Sequence, residues 1–320
     1  MQVGGQAVLE GVMMRAPGMV ATAVRRTNGS IVVRKDPFVS LAERNPLFTL
    51  PILRGAVGLF EMLVIGIRTL NYSGEIAMED AGSGEKRQPT QSVPASASRD
   101  NVKLGLTLLG ALVVGAALFF ATPLVVATSF FRVEQEPFIF NLVAGGIRMA
   151  IFLAYLISIS FLRDVHRLFQ YHGAEHKAVF AFEKGEELDV SSASRQIRFH
   201  PRCGTSFLLI VMLVSILLFA MLDALVIHAF GATSLIIRLA THLPLLPLVG
   251  GVSYELIRIS ARHSSSFIGK IIVAPGLWLQ KITTKEPDET QLEVALTALR
   301  AALGEEETAA GPSEQIAAIG

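Results

Sequence analysis

Two short runs hold most of the chain's reactive chemistry. Tyr171-His172-Gly173-Ala174-Glu175-His176-Lys177 and His200-Pro201-Arg202-Cys203-Gly204-Thr205-Ser206 contain three of the seven histidines and the single cysteine. On a helix, His172 and His176 stand at i and i+4, one turn apart on one side, which lets two imidazoles reach one metal ion. With Glu175 between them the run reads H-x-x-E-H, the inverted zinc-peptidase pattern, in which the carboxylate is base to an activated water. His200 and Cys203 add a third imidazole and a thiol where the chain enters its next apolar stretch. Zinc takes Cys and His in a tetrahedron, with four ligands in a structural site and three plus water in a catalytic one.

The set therefore predicts a divalent metal, zinc by its ligand chemistry, at His172, His176, His200 and Cys203, with Glu175 as the catalytic base. Glu255, near one end of a later apolar segment, is the best carboxylate from elsewhere. Glu183 falls on the face of His176 but about 10 Å of helix rise beyond it, too far to share the ion on an unbroken helix. The same residues also read as solvated loop histidines, a cysteine packed as a small hydrophobe, and a helix start at Gly204-Thr205-Ser206.

The elements that must position these groups are those of a membrane protein. Of 320 residues 51% are hydrophobic and only 17% charged, and the mean hydropathy is +0.51, well above soluble globular composition. A net charge of +1 from dispersed basic residues gives no nucleic-acid footprint. One cysteine makes no internal disulfide, and the amino terminus lacks a basic-then-apolar leader pattern.

Four segments, about 104–131, 139–162, 207–230 and 235–257, approach or exceed the roughly 20 apolar residues that a bilayer requires. Arg163, Arg167, Lys177, Lys184, Arg195, Arg198 and Arg202 all lie between the second and third. The other two connections are nearly free of basic residues, so the loop 163–206 and both termini are expected to be cytoplasmic in a multi-pass inner-membrane protein. Arg148, Asp223 and His242 come out roughly 10 to 14 Å deep, and an Arg148–Asp223 ion pair orienting the helices is expected.

Outside the four-helix region 104–257, residues 1–46 read as a small module with a β-hairpin, Ala21–Arg26 and Ser30–Lys35 joined at Thr27-Asn28-Gly29. Ahead of it, Glu10 and Arg15 stand among small and apolar residues, either as a turn or as a further site. Residues 47–80 carry Arg54, Glu61 and Arg68 within an apolar run flanked by basic residues on both sides. They suit a helix in the membrane interface or packed on the bundle, with a span as the lesser alternative. Residues 81–103 have a linker's composition. Beyond the spans, 258–303 comprise a short apolar piece broken at Pro275-Gly276, with Trp278 at headgroup level, and a helix opened by an Asp288/Gln291 capping box. That helix is either packed or a dock for a cytoplasmic partner, and 304–320 form an acidic tail.

Four pieces carry a family resemblance: Gly4–Arg15 (GGQAVLEGVMMR), Tyr171–Lys177 (YHGAEHK), His200–Leu208 (HPRCGTSFL) and Pro275–Gln291 (PGLWLQKITTKEPDETQ). The chain resembles the YqhQ-like family of bacterial inner-membrane proteins, and the resemblance implies a metal-dependent enzyme without naming a substrate. The expected fold is mainly α: a polytopic helical membrane protein with about four spans, an interfacial helix and a β-hairpin-containing N-terminal module. Two functions stay open. One is a metal-dependent hydrolase acting from the cytoplasmic face, with His172, His176 and either His200 or Cys203 as ligands and Glu175 as base. The other is a non-catalytic scaffold in which all four ligands close a structural site.

Overall fold

The computed structural model describes residues 3–82, 97–131, 133–262 and 267–305. Its amino-terminal part is a four-stranded antiparallel meander: β1 (Gly4–Val8), β2 (Gly11–Ala16), β3 (Gly18–Arg25) and β4 (Ile31–Phe38). The expected hairpin is β3–β4, with Arg25 opposite Ile31. Gly29 takes φ +87° at its turn, where the Asn28 side chain accepts the Ser30 N–H. Two strands precede it that the sequence does not announce. Gly4-Gly5 and the methionines of β2 have weak strand preference, and their turn, Leu9-Glu10, puts a glutamate rather than glycine at φ +52°.

Alternation along the strands gives the sheet two apolar faces. Val12, Met14, Ala21 and Ala23 pack with Tyr171, Ala174, Ala178, Leu292, Ala295 and Leu299 from α6 (Arg163–Glu183) and α11 (Glu289–Leu303). Val8 and Val24 meet Ile76, and Met13 and Val20 meet Ile65, both on α2 (Leu53–Gly82). The result is a helix–sheet–helix sandwich. The capping box at Asp288/Gln291 forms. The apolar face of α11 that a docking partner would need is buried on β2, β3 and α6.

Among the described residues, four helical stretches are long and apolar enough to cross a membrane: Gly105–Phe131, Pro137–Ser160, Gly204–Phe230 and Leu235–Ser260. The first comprises α3 (Ala97–Ala116) from Gly105 onward, a π-turn at Ala117–Ala121 and α4 (Thr122–Phe131). The others are α5 (Pro137–Ser160), α8 (Gly204–Phe230) and α9 (Leu235–Arg262). The short helices α1 (Leu41–Arg44) and α7 (Val190–Ser194) lie in connections.

The amphipathic helix α2 is not among these candidate spans. It packs along α9, and its buried Glu61 accepts from Ser40 Oγ and the Leu41 N–H. The segment interrupted by Pro275-Gly276 is a continuous helix, α10 (Phe267–Thr283), with Trp278 exposed. Of the expected linker and tail, residues 83–96 and 306–320 lie outside the described residues.

The intramembrane pairing differs from the expected one. Asp223 is held by Arg238 Nε at 2.8 Å, His242 Nε2 at 2.9 Å and Asn141 Nδ2 at 2.7 Å. Arg148 instead donates to Ser215 Oγ and the Phe119 carbonyl of the π-turn. Arg238 and His242 stand at i and i+4 on α9, so one face of that helix supplies two donors to the same carboxylate.

Candidate metal centre

Helix α6 leaves the bundle after α5 and lies under the sheet, while α8 begins at Cys203, which caps it by accepting the Thr205 N–H. These two elements bring His172, His176 and Cys203 together. One ligand atom from each lies within 4.8 Å of the others. Cys203 Sγ is 3.2 Å from His172 Nε2 and 3.1 Å from Thr205 Oγ1. His176 and Cys203 are buried and His172 is half-buried.

Backbone carbonyls set the two imidazoles. His172 Nδ1 is 2.8 Å from the Thr283 carbonyl, and His176 Nδ1 is 2.5 Å from the Arg198 carbonyl. A carbonyl only accepts, so each Nδ1 carries the proton and, in the neutral imidazole, each Nε2 keeps its lone pair, that of His172 facing Cys203 Sγ. Such outer partners orient histidine ligands in metal sites. The Thr283 carbonyl is in place because the chain leaving α10 crosses α6 at Gly173. A Cβ there would lie 2.1 Å from the Lys285 carbonyl oxygen, and the Lys285 N–H donates to the Phe169 carbonyl.

His200 stands beside this trio but not in it. Its ring is 5.6 Å from that of His176. Its Nδ1 accepts the Arg202 N–H, which leaves Nε2–H to face Glu183 at 3.4 Å. Neither nitrogen is then free for an ion. Burial, with His176 adding to it, pushes His200 down to about 4. Gln280, fully buried on α10, clamps the His200 backbone through both ends of its amide. Glu183, outside the trio, pairs with Arg202.

Glu175 is buried next to His176, its Cγ against Gly5 of β1. Burial pushes its carboxyl up, against the opposing pull of His172 and the Gly5 amide. The remaining candidates go elsewhere. Glu255 pairs with Arg54 of α2. Glu10 receives Arg167 and the Tyr171 hydroxyl, while Arg15 stacks over Phe38 at 4.4 Å and reaches Met62. Spacing reveals the three candidate ligand side chains. The Thr283 and Arg198 carbonyls leave no mark in sequence because any residue carries one. Gln280 alone had a signal, as a lone amide in an apolar helix.

Residues 50–305 match a family described as protein of unknown function (DUF1385). The chain belongs to that family. The uncharacterized protein YqhQ of Bacillus subtilis (strain 168) is 31% identical over 299 residues, 92% of this chain and 89% of its own length. No solved structure matches. Neither description names a metal, substrate or activity, so the enzyme implied by the resemblance gains nothing from DUF1385 membership. The match to DUF1385 covers the spans and the His/Cys trio and begins after the sheet, whereas the YqhQ alignment covers most of the chain.

Proposed function

We propose that this is a multi-pass inner-membrane protein, termini in the cytoplasm, that holds one zinc-class ion at His172, His176 and Cys203 and acts as a metal-dependent hydrolase. The observation that carries this reading is the pair of carbonyl acceptors, which turns both Nε2 lone pairs into available ligands beside the thiol. Three ligands leave a fourth position for water, the arrangement of a catalytic rather than a closed structural site. A bound ion would supply Lewis acidity and a nucleophilic water near neutral pH. Glu175 is the residue assigned to hold the proton. The basic residues concentrated between the second and third spans support the cytoplasmic orientation.

The test is metal content of the detergent-purified protein beside His172→Ala/His176→Ala. About one equivalent in the wild type, lost in the variant, is expected for a three-ligand site. No metal after reconstitution with zinc ends the proposal. A second reading, a structural staple in a scaffold, is favoured by one observation. The ligands and their carbonyls come from α6, the start of α8, the end of α10 and the α7–α8 connection, so an ion would tie the sheet layer to the bundle. Glu175→Gln separates the two readings. With metal content unchanged, loss of function in a strain dependent on this protein supports hydrolysis, and unchanged function supports the staple.

A further inference from the structure

The elbow between α5 and α6 holds a second group of polar side chains that the metal centre does not use. A cavity of about 470 Å³ is lined there by Ser160, Phe161, Arg163, His166, Arg167 and Gln170, within the size range of small-ligand sites. The last four stand at i, i+3, i+4 and i+7 of α6, one continuous stripe of donors. Arg167 engages Glu10 through Nε and Nη2, leaving Nη1 for another acceptor. The side chains of Arg163 and His166 have no hydrogen-bond or ion-pair partner among the described residues. Asp164, the nearest other acid on α6, lies off the stripe and outside the lining. Leu162, at the N-cap of α6, has no side chain able to cap the free N–H groups of the first turn.

The depth of the site is set by its apolar neighbours. The second candidate span ends at Ser160, and Phe161 and Leu162 are 81% and 57% exposed. Arg163 follows at once. An apolar rim passing into cations within three residues is what a helix presents where acyl chains give way to headgroups.

We propose that this cavity binds the phosphate of an anionic membrane phospholipid, with Arg163 and His166 as its principal contacts and Arg167, fixed by Glu10, as the third. The shared chemistry is a phosphate anion, and exposed apolar side chains at the rim favour a lipid over a free ion. The test is native mass spectrometry of the full chain in detergent, titrated separately with phosphatidylglycerol, phosphatidylcholine and inorganic phosphate.

The wild type should retain phosphatidylglycerol over phosphatidylcholine, and Arg163→Ala/His166→Ala should bind phosphatidylglycerol about fivefold more weakly or worse. Inorganic phosphate alone should not compete. Equal retention by the variant, or equal retention of phosphatidylcholine, overturns the site. Competition by inorganic phosphate at comparable concentration assigns it to a soluble anion and overturns the lipid. Both substituted side chains are exposed and unpartnered, so the fold should survive. Should the double variant fail to fold, Arg163→Glu carries the same test.

Discussion

Cys203 does two jobs with one sulfur, and they can be separated. It caps α8 by accepting the Thr205 N–H, and it faces His172 Nε2. Serine is a good N-cap, whereas alanine at such a position costs about 1 kcal/mol. Cys203→Ser should therefore keep the wild-type melting temperature without metal, yet bind cobalt without the sulfur-to-metal absorption of the wild type. Cys203→Ala should lose the absorption and melt lower as well. Wild-type cobalt protein without a sulfur band would remove Cys203 from the ligand set. The three candidate ligands were legible because residue type and i, i+4 spacing are properties of sequence. The exclusion of His200 was not, since it depends on which ring nitrogen meets the Arg202 N–H.

At the scale of elements, the His172/His176/Cys203 cluster depends on how the segment after α10 lies across α6. Gly173 is the contact point. A methyl group there meets the Lys285 carbonyl, and because that neighbour is backbone the segment must move. Gly173→Ala should cost about 1–3 kcal/mol. It should also weaken metal binding, because Thr283, whose carbonyl orients His172, is displaced with the segment. An unchanged melt and unchanged zinc affinity would show that the crossing tolerates a Cβ.

The same segment is held by Glu286, which faces the buried Lys177 and Arg198. Burial acts to raise its carboxyl, but the two ion pairs outweigh it and hold the group below its usual 4.5. A depressed carboxylate stabilises the fold above its unfolded value and loses that contribution as pH falls through the folded one. The wild-type melting temperature should thus drop on acidification below about pH 4.5. Glu286→Gln should start lower at neutral pH and show a shallower fall. Parallel pH profiles for the two proteins would remove the ion pairs from the account. The elements themselves were largely legible, since four spans, the β3–β4 turn and the α11 cap each carry a local signal. The β1 and β2 strands carry none, because their place in the sheet is fixed by what α2, α6 and α11 cover.

For the whole molecule, α8 serves as a ruler. Cys203 caps one end, and Asp223 lies about 30 Å along the helix from it, among fully buried Arg238 and His242. The sequence placed Asp223 and His242 at one depth and chose Arg148 as the ion-pair partner. It could not see that a long side chain one turn from His242 reaches the same carboxylate. Asp223 now joins α5, α8 and α9 through Asn141, Arg238 and His242, while the His/Cys trio lies at the other end of α8, where α6 meets its N-cap.

Removing the acid leaves a buried arginine whose Nη1 already has no partner, a loss of about 3–5 kcal/mol for a broken buried pair. Asp223→Ala should therefore lower the unfolding midpoint in detergent, followed by the single tryptophan, Trp278 on α10. Asp223→Asn, which keeps an acceptor but no charge, should fall between. Metal content of the folded fraction should stay at the wild-type level in both variants, because the two polar centres lie far apart along one helix. A loss of metal in step with stability would instead mean that the bundle and the sheet layer unfold as one unit, with the ion bound only while the Asp223 cluster is intact.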